Sequence, residues 1–306
     1  MRINLIATPP QSTVDRAIRD LRWPSAEVMF AGAWRPDWRR RLKYLARMAL
    51  TIEARARVLD VCATDDFARA LLRVQPRAFY PLMSHLLDRR FGVEDRLNAT
   101  LASLAVIPAR LRGDGMALLA SEGLPLLVLD DGTRLNLSIS GVSFHEGLWQ
   151  LGLHTPTGVR LYSLGFGLPS PRSLLVANVQ GASIGIDGLE KNRLLTHTAH
   201  GMRPPYLLLH ALKTIARSLG IGTLSGIDPH HHVKGRWNLR RSRLQFDYRA
   251  LWRDHGATRE PSGNWSLPLE PTQRALETVP SKKRAMYRRR HELLQRFDES
   301  IAGLFA

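Results

Sequence analysis

A chain of 306 residues has room for one large domain or two ordinary ones, and 44% apolar with 23% charged residues is the balance of an ordinary folded protein. Lys and Arg number 44 against 27 Asp and Glu, a net charge of +17 that favours polyanionic partners such as nucleic acid, anionic lipid headgroups or acidic cofactors. The single cysteine, Cys62, excludes an internal disulfide.

Cys62 lies in an apolar helical pattern, so a buried, unreactive thiol is expected. MRINLIATPPQ lacks the apolar core of a secretory signal. The most apolar stretch, 116–129, is broken by Glu122, Gly123 and Pro125, short of the ~18–20 residues of a membrane span. A soluble, cytoplasmic protein that can lie peripherally at the inner membrane is expected.

The first third reads as helical. From Trp38, apolar residues recur at Leu42, Leu45, Ala49, Ile52, Ala56 and Leu59 near the helical period, and Arg39, Arg40, Arg41, Lys43 and Arg47 crowd the first turns. Thr64, followed by Asp65 and Asp66, predicts the cap and acidic first turn of another helix. Pro76 and Pro81 interrupt the pattern, and helical segments continue to about Leu111. A boundary near residue 112, with Gly113 and Gly115 as its loop, separates a helical region 1–112 from a mixed α/β region 113–306.

Residues 124–181 predict an antiparallel meander. Two apolar runs flank Asp131-Gly132, a hairpin signal, and the chain turns again at Pro156–Gly158. RSLLVANVQG is the last strand of this group. A helix over 187–199 follows, then the clearest helix of the chain, RPPYLLLHALKTIARSLG. Its prolines, Pro204 and Pro205, suit a first turn, Leu208, Ala211, Leu212, Ile215 and Leu219 share a face, and Gly220 suits the C′ position. IGTLSGID predicts a short strand. The fold class is α+β: an N-terminal helical region, then a central antiparallel meander with packed helices.

Four constellations are candidates for chemistry. In QGASIG, small residues lie between a strand and a helix start, a setting that suits phosphate because backbone N–H groups are accessible there. Gln180, Gly181, Ser183 and Gly185 fit a Q-x-x-G-x-G pattern with Ser183 in place of the first glycine. The loop and the order of meander, loop, helix and strand resemble the pyrophosphate loop and fold of GNAT-type acyltransferases, which implies acyl-coenzyme A as cofactor; a plain turn is the alternative. His197, His200 and Arg203 precede the clearest helix, and Arg203 adds charge to a helix N-terminus whose N–H groups suit anions. His230, His231 and His232 are adjacent, so they point different ways; no metal site is expected, and His232 is the candidate general base. Glu146 in FHEGLW is a second candidate base, with a solvated turn as the plain alternative.

The fourth is basic. KGRWNLRRSR carries Lys234, Arg236, Arg240, Arg241 and Arg243 around Trp237. SKKRAMYRRRH carries Lys282, Lys283, Arg284, Arg288, Arg289 and Arg290 around Tyr287. Lys282, Lys283, Arg284 and Arg290 are candidate anion-binding residues, for an anionic membrane surface or an envelope-related substrate, with a solvated face as the alternative. No motif for sequence-specific nucleic-acid reading accompanies them, so nonspecific nucleic-acid binding stands as a third reading.

VQG, HGMRPPYLLLHAL, HHHV, FDYRALWRDHGA, LPLEP and SKKRAMYRRRHELL, in this order, resemble the VirK/YbjX family of Gram-negative bacteria over roughly residues 135–300. The chain departs from the family pattern at Gly226-Ile227-Asp228, where an Asn-containing strand end is usual, and at Gly256-Ala257, where paired glycines are usual. The resemblance implies an association with virulence, the bacterial envelope and resistance to cationic antimicrobial peptides, and no settled biochemical activity. By motif match it singles out Gln180, Gly181, Gly201, Arg203, Pro204, His232, Asp247, Tyr248, Trp252, Lys283, Arg284, Tyr287 and Arg290. Tyr248 and Trp252, one helical turn apart, have a packing role as their plain alternative.

Overall fold

The computed structural model describes residues 21–30, 38–113, 115–119, 123–141, 143–181, 186–235, 246–270 and 275–305. The N-terminal third holds helices α1 (Ala26–Met29), α2 (Trp38–Leu50), α3 (Ile52–Thr64), α4 (Asp66–Val74) and α5 (Val93–Arg110), with a 3-10 segment at Pro76–Met83. The run starting at Trp38 is two helices rather than one. It breaks at Thr51, whose hydroxyl donates back to the Arg47 carbonyl at 2.8 Å. The cap of α4 is Asp65 rather than Thr64. Asp65 Oδ1 accepts from the Ala68 N–H at 2.7 Å, while the Thr64 hydroxyl is turned back onto carbonyls in the last turn of α3. Cys62 is fully buried, and burial pushes its thiol up to about 12.

The predicted meander forms as β1 (Leu124–Val128), β2 (Arg134–Ile139), β3 (Trp149–His154), β4 (Arg160–Ser170) and β5 (Ser173–Gln180), each antiparallel to the one before. Helices α6 (Ile186–Thr198) and α7 (Pro204–Ser218) then carry the chain to β6 (Thr223–Gly226), which pairs parallel to β5. After α8 (Tyr248–Asp254), β7 (Thr258–Arg259) and β8 (Trp265–Leu267) extend the sheet in the order β1-β2-β3-β4-β5-β6-β8-β7. The C-terminal helix α9 (Ser281–Leu304) packs against α7 and β1.

Two features of the sheet position the site. Strands β5 and β6 pair only from Ser173–Thr223 to Val176–Gly226; β5 then runs on to Gln180 without β6. In β4, register shifts free the Leu168 N–H, which donates to the buried Ser103 hydroxyl of α5 at 3.1 Å. The Trp149 indole donates to the Ser103 carbonyl at 3.0 Å, so α5 is pinned across β3 and β4. The end of α5 also meets the end of α9, where Leu111 bridges Phe305. Helices before residue 112 and the sheet after it thus share one buried cluster.

Ser103→Ala leaves a buried strand N–H without an acceptor. It is expected to lower the unfolding free energy by about 1–3 kcal/mol in urea titrations. Thr100→Ala, which removes a half-buried bond back to its own helix, is the control and should cost less.

Candidate functional site

Glu146 and His232, distant in sequence, meet inside the protein. Glu146 sits in a 3-10 turn (Phe144–Glu146) just before β3 and is 2% exposed, so the expected solvated turn is instead interior. Gly147 makes this possible. Its φ is 121°, and a Cβ there would lie 2.1 Å from the Phe166 carbonyl oxygen, so only glycine lets the turn lie this close to β4. Glu146 Oε1 is 2.9 Å from Lys234 Nζ and 3.4 Å from His232 Nε2, and Oε2 accepts from Asn178 Nδ2 at 2.9 Å. Burial acts to raise the pKa of Glu146, but His232 and the Lys234 ammonium outweigh it, and the carboxyl lies below its usual range.

His232 is 1% exposed. Its Nδ1 accepts from the Lys234 backbone N–H at 3.1 Å, which leaves the proton of the neutral ring on Nε2, facing Glu146. Neither ring nitrogen offers a lone pair to a substrate in this arrangement. Around the same loop, Asp88 and Asp228 are fully buried carboxylates. Asp88 takes Arg90 and Asn264; Asp228 takes the His230 N–H, Arg249 and the Trp265 indole. Burial opposes both charges, and these bonds and cations still hold both pKa values below the ordinary range. Among the described residues no group of three or more His, Cys, Asp or Glu side chains is placed to hold a metal ion.

Beside α8 lies a groove of about 1330 Å³. Tyr162, Phe246, Leu251 and Met286 supply apolar surface, and Arg193, Arg203, Lys282 and Arg289 supply cations. The groove is not uniformly positive, because Asp130, Asp131, Asp247 and Asp254 also border it. Three of these carboxylates have internal duties: Asp131 accepts from Thr198, Asp247 caps α8 at the Ala250 N–H, and Asp254 accepts from the Tyr206 hydroxyl. Burial, with Asp254 alongside, pushes Tyr206 up to about 12.

The sequence-predicted residues distribute as follows. Gln180 ends β5, and Gly181 lies against the Tyr162 ring, where a Cβ would come within 2.7 Å. Ser183 and Gly185 lie outside the described residues, as do Arg236, Trp237, Arg240, Arg241 and Arg243. Arg203 is the N-cap of α7 and lines the groove. The helix N-terminus behind it offers an anion little, contrary to expectation. Pro204 and Pro205 carry no N–H, and the Tyr206 and Leu207 N–H groups bond the Arg203 carbonyl. Lys282 lines the groove and Lys283 is exposed. The Arg284 guanidinium donates to the Val279 carbonyl, and that of Arg290 donates to the His200 carbonyl and stacks 4.3 Å over Tyr287. The basic run therefore divides among different tasks. Tyr248 and Trp252 pack together, with ring centroids 6.0 Å apart. Tyr162, Tyr206 and Asp254 were not singled out from the sequence; the last two meet across 48 residues, and no spacing announces them.

Residues 34–303 match the family described as "Protein of unknown function (DUF535)". An uncharacterized protein of Haemophilus influenzae is 29% identical over 269 residues, 87% of this chain and 90% of that protein. "Membrane protein LapB" of Mannheimia haemolytica is 28% identical over 216 residues, 70% of this chain and 94% of that one. YbjX of Escherichia coli is 24% identical over 289 residues, 90% and 87% of the two chains. Among solved structures, a cAMP-binding acyltransferase from Mycobacterium smegmatis aligns with a TM-score of 0.30 and 12% identity, over 71% of this chain and 63% of that one.

The depressed Glu146 pKa sets a pH dependence. Its contribution to stability is fully present above the unfolded value of 4.5 and is lost as pH falls through the lower folded value. Glu146→Gln is expected to cost about 1–3 kcal/mol near pH 7 and to flatten the loss of stability between about pH 5 and pH 3, read by urea unfolding across that range. An unchanged acid limb would deny the carboxylate this role.

Proposed function

The chain belongs to the DUF535 family, with the relatives named LapB and YbjX, and we propose that it binds an acyl-coenzyme A-type ligand in the groove and transfers the acyl group to an amine or hydroxyl acceptor. The observation that carries this reading is the groove's position and lining. It borders Tyr162 and α6, beside the end of β5, which runs on past its last pair with β6 and leads into α6. Cations from α6, α7 and α9 suit the phosphates, and Tyr162, Phe246, Leu251 and Met286 suit the apolar part. The volume is generous for a single elongated ligand, since common ligand pockets run ~300–1,000 Å³.

In the transfer, the thioester C–S bond breaks as the acceptor N or O bonds the acyl carbon, and the acceptor's proton ends on the leaving thiolate. Glu146 and His232 serve this reading as supports. They are buried and do not line the groove; Asn178, which donates to Glu146, accepts from the Tyr248 hydroxyl, and that hydroxyl accepts from the Val179 N–H. Tyr206 and Asp254 are the hydrogen-bonded titratable pair that faces the groove. An envelope component as acceptor fits the associations of the resembled family.

The test is a thermal-shift titration with acetyl- and long-chain acyl-coenzyme A against inorganic polyphosphate. Near-saturating coenzyme should raise the melting temperature by about 2–4 °C beyond the polyphosphate control. The double variant Arg203→Glu, Lys282→Glu should lose roughly tenfold or more in affinity while melting as the parent does without ligand. Gly181 is unsuited to the test, because a side chain there would push on Tyr162. Equal shifts with polyphosphate would show that charge alone is read, and would sink the proposal.

A further inference from the structure

Helix α2 carries an apolar face that none of the described residues covers. Only Tyr44 of this helix is buried; it packs against Phe30 and Tyr80 and donates to the Pro24 carbonyl. Trp38, Leu42 and Leu45, spaced at four and three residues, instead face outward at 67%, 59% and 58% exposure, and Leu50 and Ile52 at the junction with α3 reach 78% and 61%. Ala49, also exposed, completes the stripe. A cluster of large apolar side chains at such exposure marks an interaction surface.

The charges beside the stripe say what kind. WRRRLKYLARMAL contains Arg39, Arg40, Arg41, Lys43 and Arg47 and no acidic residue. Arg41 lies 3.7 Å from Glu27, Arg47 holds the Tyr80 hydroxyl, and Arg39 lies 5.5 Å from the Trp38 ring centroid. Arg40 and Lys43 are exposed on the polar side of the helix, away from the stripe. A second copy of the chain docking here face to face would set these cations against their own likes. An anionic bilayer satisfies both halves of the helix at once, with the apolar stripe in the headgroup–acyl boundary and the cations on the phosphates.

We propose that α2 is an interfacial membrane-binding helix, which inserts Trp38, Leu42 and Leu45 into an anionic lipid surface under the guidance of Arg39, Arg40 and Lys43. The helix lies in the plane of the surface and does not cross it; no helix among the described residues is long and apolar enough to span a bilayer. This site is separate from the groove, so either proposal can fail alone.

Co-sedimentation with phosphatidylglycerol–phosphatidylcholine vesicles tests it, with pure phosphatidylcholine vesicles as the comparison. Binding to the anionic vesicles should fall steeply with salt, and tryptophan emission should shift to the blue on binding, a shift that Trp38→Phe removes. Leu42→Gln with Leu45→Gln keeps every charge and should weaken binding roughly tenfold or more. Arg39→Gln, Arg40→Gln and Lys43→Gln together should weaken it comparably, with loss of the salt dependence. All these positions are exposed, and unchanged circular dichroism and melting temperature confirm the fold. Vesicle binding that survives the double leucine variant overturns the proposal, as does binding lost only on Lys282→Glu with Lys283→Glu. A dimer that the leucine variant dissolves would also overturn it, because the face would then belong to a second copy.

Discussion

Tyr248 fills the place where the sheet comes apart. Past Val176 and Gly226, β5 continues on β4 but without β6, and a buried strand edge with free N–H groups is costly. The Tyr248 hydroxyl accepts from Val179 and donates to Asn178, and the Asn178 amide donates to Glu146. Burial raises the Tyr248 pKa well above that of a free phenol, so the hydroxyl keeps the proton that this relay needs. The neighbours of Tyr248, Phe246, Asp247 and Leu251, line the groove, and its ring lies 6.1 Å from His232 of the buried cluster of Glu146, His232 and Lys234.

Three buried carboxylates, Glu146, Asp88 and Asp228, hold together segments that regular structure leaves untied: the turn before β3, the stretch after residue 86, and the loop from 228 to 235. Their partners are largely Arg and Lys side chains that are themselves partly exposed, such as Lys234, Arg90 and Arg249, so only one member of each pair is fully removed from water. That geometry lessens the desolvation that makes buried ion pairs expensive. His232 is held in the same cluster: its Nδ1 accepts within the loop, and its Nε2 faces Glu146 at 3.4 Å.

Local signals in the sequence carried most of the fold. The Asp131-Gly132 hairpin, the meander, and the Pro204–Gly220 helix depend on neighbours within a few residues, and each formed as its pattern predicts. The burial of Glu146 was not legible, because what buries it comes from residues 178, 232 and 234 and from a glycine whose importance lies in an approach to Phe166. The groove was legible only in fragments. Arg203 and Lys282 were visible as cations, but α6, α7, α8 and α9 and the β1–β2 turn must all converge before they share a surface. The same convergence separates Arg284 and Arg290 from their neighbours, since carbonyls at residues 279 and 200 engage them first.

Helices α2 and α7 show what periodicity leaves undecided. Both present apolar residues at three- and four-residue steps. In α7, β4 lies along one side and α9 along another, and twelve residues, including Lys213 and His210, end up buried. In α2, α1 and the 76–83 segment cover only the side that carries Tyr44. A stripe of apolar residues therefore announces a contact but not its partner. For α7 the partner is the sheet, because its polar residues are few and find acceptors inside, as Thr214 does on Asp298. For α2 the cations that share the helix with the stripe oppose that solution, since burying a charge costs far more than exposing a leucine. A surface that is apolar within and anionic without would accept both kinds of side chain together, which is the ground for the proposal made for α2.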